Sequence, residues 1–229
     1  MRAQALLFDK DGTLFDFQKT WGPWVGVVID QLAAGDMDMA TEMEVAMGYD
    51  RASKTVAADS VVIAGTVEQG AAAILHFRPD MSLEQLMVIF DETGAKAPGI
   101  EVLPLAPYLT LLAEMGIHYG VATNDSESTA RAQLKKLDLE HRFDFIAGFD
   151  SGHGGKPGPG MCLAYARFVG LEPNQIVMVG DSSHDLEAGR AAGMQTAAVL
   201  TGVAGADELK PLADVVLPDI GHLPAWLID

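Results

Sequence analysis

The chain has 229 residues, 49% of them apolar and 21% charged, with a formal charge of −17; this composition excludes intrinsic disorder and supports one large α/β domain or a core carrying a smaller one. No apolar run reaches the length of a membrane span, residues 1–8 are too short for a secretory leader, and a lone Cys162 can close no internal disulfide, so a cytoplasmic protein is expected. The acidic excess repels nucleic acid and anionic membranes, so neither is an expected partner, and an anionic substrate must meet local cations or a metal.

In chain order, residues 5–8 form a short apolar run that ends in Asp9-Lys10-Asp11-Gly12-Thr13. From 16 to 98 the pattern turns helical, rich in Ala and Met, with only Val61-Val62-Ile63 ambiguous between helix and strand. The next apolar run begins near Ile117, too far away for one crossover helix. An inserted helical subdomain over 16–98 is therefore expected, with residues 1–15 and 99–229 forming the core. The insert carries five Lys/Arg against 13 Asp/Glu, a net of −8, which excludes a nucleic-acid clamp. Its tryptophans and the series Met37, Met39, Met43, Met47 read as packing. Arg51 and Lys54, about one helical turn apart, could meet a substrate carboxylate or only nearby acids of the insert, and the second reading is favoured.

Beyond the insert, Pro104, Leu109, Leu112 and Gly116 outline an amphipathic helix. Further apolar runs cover residues 117–122, 143–147, 176–179, 196–200 and 215–217. Most lack alternation, as strands buried on both faces do. Between them, Asp125 or Ser126 caps a helix reaching Leu137, Pro159 starts one that stops near Gly170, and Ser182 or Ser183 caps one that stops at Gly193. Strand alternating with helix predicts a doubly wound parallel α/β sheet.

Ligands bind such sheets at the carboxyl ends of the strands. Asp9 and Asp11 end the first strand, and Asp181 ends another, with Asp185 in the first turn of the following helix. A turn aspartate or a helix cap would account for each alone. Two strands delivering acid pairs to one edge repel unless a cation lies between them, and an all-oxygen set suits Mg²⁺. Thr123 and Asn124 end a third strand at a helix start, an anion site or an ordinary cap. Lys156 follows the glycine-rich loop 152–155 and can bring positive charge to the same edge, or be solvated. His153 lies in that loop with the same ambiguity.

Together, Asp9-x-Asp11-Gly12-Thr13, Thr123-Asn124, Lys156-Pro157 and Gly180-Asp181-Ser182-Ser183-His184-Asp185 resemble the four motifs of the haloacid dehalogenase (HAD) superfamily, and within it the phosphoglycolate phosphatase-like branch. The resemblance implies a Rossmann-like core with an all-helical cap. It implies Asp9 as nucleophile, Asp11 as general acid and base, and Mg²⁺ held by Asp9, the Asp11 carbonyl and Asp181 with Asp185. It also implies Thr123, the Asn124 N–H and Lys156 as the phosphate cradle. His184 would occupy a variable position. The expected activity is hydrolysis of a small phosphorylated metabolite, phosphoglycolate-like or a sugar phosphate, by a monomer or homodimer. A phosphomutase or phosphotransferase, or a non-catalytic phosphometabolite-binding protein, are the alternatives.

Overall fold

The computed structural model describes residues 2–57 and 60–228. In chain order the elements are β1 (Ala5–Phe8), α1 (Phe17–Ala33), α2 (Met37–Ala46), β2 (Tyr49–Asp50), β3 (Thr55–Val56), α3 (Val61–Ala64), α4 (Val67–Ile74), α5 (Leu83–Gly94) and α6 (Leu105–Glu114). There follow β4 (His118–Ala122), α7 (Glu127–Lys136), β5 (Phe145–Ala147), α8 (Gly160–Val169), β6 (Ile176–Gly180), α9 (Ser183–Ala192), β7 (Gln195–Val199), α10 (Ala206–Leu209), β8 (Val215–Leu217) and α11 (Leu223–Ile228). No helix among the described residues is long and apolar enough to cross a membrane.

Six strands form one parallel sheet in the order β5-β4-β1-β6-β7-β8. β1 shows why its sequence lacks alternation. Leu6 and Phe8 join the apolar cluster that takes in α6, α7 and α11, whereas Ala5 and Leu7 join the one built by α8 and α9. All four side chains are fully buried, as a central parallel strand requires. The connections run outward in opposite directions from β1 and β6, so a crevice opens between their carboxyl ends.

Between β1 and α6 the chain leaves the sheet and builds a separate core, in which Trp21, Trp24, Val28, Met43, Met47, Leu86 and Phe90 pack together. The outgoing and returning segments run side by side. Asp16 N–H donates to Ile100 O at 2.7 Å, Val102 N–H to Leu14 O at 3.0 Å, and Phe15 bridges Glu101.

The structure resolves one ambiguity in the insert and departs from sequence expectation at another place. Val61-Val62-Ile63 is helical, because Ser60 caps the turn by accepting from Val62 N–H at 3.1 Å, and this local cap overrides the β propensity of the three side chains. Residues 49–56 form a small antiparallel ribbon rather than helix. Its β3 edge is held by Gln18, whose amide donates to Val56 O at 2.8 Å and accepts from Val56 N–H at 2.9 Å. Arg51 and Lys54 thus lie in a tight turn, not on a helix face. Arg51 pairs with Asp30 at 2.8 Å and with Glu44, as its reading anticipated.

Candidate active site

Asp9 follows β1 directly, and its side chain meets Lys156 Nζ at 2.6 Å. The same ammonium reaches Asp185 Oδ1 at 2.6 Å and the Ala122 carbonyl at 2.9 Å, which ties the ends of β1 and β4 to the start of α9. Asp181, at the end of β6, accepts from the Thr13 hydroxyl at 3.2 Å. Asp9, Asp181 and Asp185 are buried, with one ligand oxygen from each within 4.8 Å of the others. Burial and the neighbouring carboxylates outweigh Lys156 and push the Asp9 carboxyl up to about 7; the same causes hold Asp181 well above the usual carboxylate range. Lys156 is raised above the lysine range because its two acids overcome the effect of burial.

Three buried carboxylates against one ammonium leave an excess of negative charge that a divalent cation would neutralise. The backbone is shaped for close approach to these groups. Gly12 has φ +85°, and a Cβ there or at Gly202 would collide with the Asp181 carboxylate. The donor set is all oxygen, so the residues fit a hard cation such as Mg²⁺.

Asp11 belongs to a second ion cluster. Its carboxylate takes Lys10 Nζ at 2.7 Å and the Trp21 indole N–H, donated from the insert, at 2.7 Å. Lys10 is wholly buried and also reaches Asp125 at 3.1 Å and Gln133 Oε1 at 2.6 Å. Burial works against its charge, but Asp11 and Asp125 prevail and raise its pKa. Burial likewise pushes Asp125 up to about 6.

Thr123 and Asn124 end β4 beside Lys156. The Thr123 hydroxyl accepts from Asp125 N–H at 3.1 Å. The Asn124 amide brackets its neighbour's backbone, accepting from Lys156 N–H at 2.7 Å and donating to Lys156 O at 3.0 Å. All seven sequence-predicted residues, Asp9, Asp11, Thr123, Asn124, Lys156, Asp181 and Asp185, thus line one cavity of about 100 Å³ between sheet edge and insert. His153 does not; it is exposed, within the 152–155 loop.

Residues 6–199 match the family profile described as haloacid dehalogenase-like hydrolase. The chain belongs to this family. As a haloacid dehalogenase-like hydrolase, it is 29% identical over 228 residues to a phosphoglycolate phosphatase of Xanthomonas campestris, with 97% of each chain covered. Among solved structures it resembles a HAD phosphatase of Thermococcus onnurineus, with 25% identity, a TM-score of 0.68, and 98% of this chain and 97% of that one covered. A β-phosphoglucomutase of Clostridium difficile shares the fold, with 16% identity, a TM-score of 0.66, and coverage of 99% and 97%.

Four further residues of this hydrolase reach the site in places the sequence reading did not give them: Lys10 was not singled out, the tryptophans were read as packing alone, and His184 as a variable position. Lys10 stands between two acids in sequence, where a charged turn residue is unremarkable. Trp21 and Trp24 line the cavity as well as packing the insert. His184 also faces the cavity, with Nδ1 buried and unpartnered. The tryptophans had a sequence signal, two large amphipathic rings three residues apart on one helix face, but it is shared with ordinary core packing.

Proposed function

We propose that this protein is a Mg²⁺-dependent phosphatase of small phosphomonoesters that works through an aspartyl-phosphate on Asp9. The observation that carries the reading is the Asp9 carboxylate held 2.6 Å from Lys156 at the sheet crevice, beside Asp181 and Asp185. The phosphoglycolate phosphatase relatives support the same class of reaction.

In this reading Asp9, the Asp11 carbonyl and Asp181 would hold Mg²⁺, with Asp185 as an additional or water-mediated ligand, and the ion would supply charge to neutralise the phosphoryl oxygens. Asp9 Oδ attacks phosphorus while Asp11 gives its proton to the departing alkoxide. Asp11 then removes a proton from the water that hydrolyses the acyl phosphate. Lys156, the Thr123 hydroxyl and the Asn124 N–H cradle the phosphoryl oxygens, a contribution of charge and position. Lys10 and the Trp21 indole hold the Asp11 carboxylate in place, so the proton carrier is aimed from both core and insert. Residues 16–98 act as the cap that excludes bulk water.

The test is Mg²⁺-dependent phosphate release from p-nitrophenyl phosphate. Asp9→Asn is expected to abolish it, with a loss of at least about 10³-fold; wild-type-like turnover in that variant refutes the mechanism.

A further inference from the structure

The cavity beneath the insert has two halves of opposite chemistry. The core side presents the carboxylates, Lys156 and the end of β4. Among the described residues of the insert, the lining side chains are apolar apart from Thr66, with Trp21, Trp24, Phe90, Val62, Ile63 and Val67 as the main contributors. The Trp21 and Trp24 rings meet edge to face at 5.0 Å, and Trp24 meets Phe90 in the same way at 5.3 Å. Both indole N–H groups are already engaged, Trp21 with Asp11 and Trp24 with the Thr93 hydroxyl at 2.9 Å.

Among the described residues, no lysine or arginine of the insert lines the cavity. Arg51 is paired with Asp30 and Glu44, Arg78 with Asp80, and Lys19 with Asp16; Lys54 and Lys96 are exposed. His184 lies on the core side, in the first turn of α9 next to Asp185. A leaving group with its own carboxylate would be desolvated against this wall without a cation to meet it. A sugar would bring several hydroxyls to a surface whose one hydroxyl, that of Thr66, already accepts from Gln69 N–H at 3.3 Å. Each unpaired polar group counts against binding, whereas an apolar group gains from burial.

We therefore propose that the substrate is the phosphomonoester of an apolar alcohol, bearing an aromatic or branched aliphatic group and no charge beyond the phosphate. The inference rests on the phosphatase reading for the phosphate half of the site and differs from what the relatives' names suggest about the other half. The aromatic edges of Trp21, Trp24 and Phe90 receive a flat group, and Val62 and Ile63 of α3 close over it.

The experiment compares kcat/KM of the wild-type protein with Mg²⁺ for benzyl phosphate, 2-phosphoglycolate and glycerol 3-phosphate, all esters of poorly acidic alcohols, so intrinsic reactivity does not set the order. Benzyl phosphate is expected to lead by at least about 10-fold. An equal or reversed order overturns the inference while leaving the phosphatase reading intact, provided p-nitrophenyl phosphate is hydrolysed. Calorimetric binding of benzylphosphonate and phosphonoacetate tests the same selectivity without turnover. Tighter binding of benzylphosphonate, again by about 10-fold, supports the inference even if no ester is hydrolysed; tighter or equal binding of phosphonoacetate overturns it. In Ile63→Arg the new cation on the wall is expected to move the preference toward 2-phosphoglycolate by about 10-fold. An unchanged preference would show that this wall does not select the substrate.

Discussion

Removing the Lys10 ammonium would leave two carboxylates, Asp11 and Asp125, facing each other in the interior with no cation between them. Loss of one member of such a buried set is strongly destabilising, because the remaining charges stay desolvated. Lys10→Met is therefore expected to lower unfolding stability by about 3 kcal/mol or more, read from urea denaturation, and to reduce kcat because Asp11 loses one of its two anchors. Asp9 carries a second prediction. Its ordinary pKa is 3.8, and burial with neighbouring acids raises it to about 7 without a metal. Between those values the unfolded chain has released this proton and the folded chain still holds it, so metal-free stability falls as pH rises through that window. A cation that binds the ionised group reverses the trend. Thermal unfolding is expected to show a larger Mg²⁺-induced rise in Tm at pH 8 than at pH 5; a rise independent of pH would contradict it. The acids at the site were legible because their types and positions at strand ends restrict the chemistry. Lys10 was not, since its role depends on Gln133 and Asp125, more than 110 residues away. The Asn124 side chain was missed for the same reason: its two bonds to Lys156 exist only once β4 and the loop before α8 come together.

Asp91 on α5 faces the start of α7, and the hydroxyls of Ser126, Ser128 and Thr129 all converge on its carboxylate, the latter two at 2.8 and 2.9 Å. Insert and core are latched there, and the same face carries the Lys136 bond to Ala97 O at 3.3 Å. Hydrogen bonds to a charged acceptor contribute about 1.5–3 kcal/mol each when well formed, so Asp91→Ala is expected to shift the insert toward an undocked state. If only the docked state binds substrate well, apparent affinity falls with its population. The expected result is a rise in KM of about 10-fold with a smaller change in kcat, accompanied by faster hydrogen exchange in residues 95–104; an unchanged KM would remove the latch from the account. At this scale, legibility followed burial. β1, β4, β6 and β7 read as continuous apolar runs because both of their faces are covered. The β2/β3 ribbon did not, since two-residue strands give no period and their edge is satisfied by Gln18, 38 residues distant from Val56.

Across the whole molecule, the parallel sheet followed from non-alternating apolar runs separated by helical patterns, and the helical insertion from spacing, because a single crossover helix cannot fill the chain between β1 and β4. The partition of the interior was less visible. The insert has its own cluster around Trp24, Met43 and Leu86, distinct from the two clusters on the faces of the sheet. Replacing residues 17–98 with a short Gly-Ser linker is expected to leave a cooperatively folding core with Mg²⁺ affinity and no selectivity among esters. Circular dichroism and calorimetry check this, and a chain without a thermal transition would show that the sheet needs its insert. The paired segments at Leu14–Asp16 and Ile100–Val102 also have a mechanical meaning. A two-ply ribbon flexes across its flat face far more readily than within its plane, so it confines the insert to one arc of travel. The Trp21 indole lies on the insert side of that ribbon and bonds Asp11 on the core side. In the proposed reaction this ties chemistry to docking: Asp11 has both of its anchors only while the insert is seated, because one of them is the Trp21 indole.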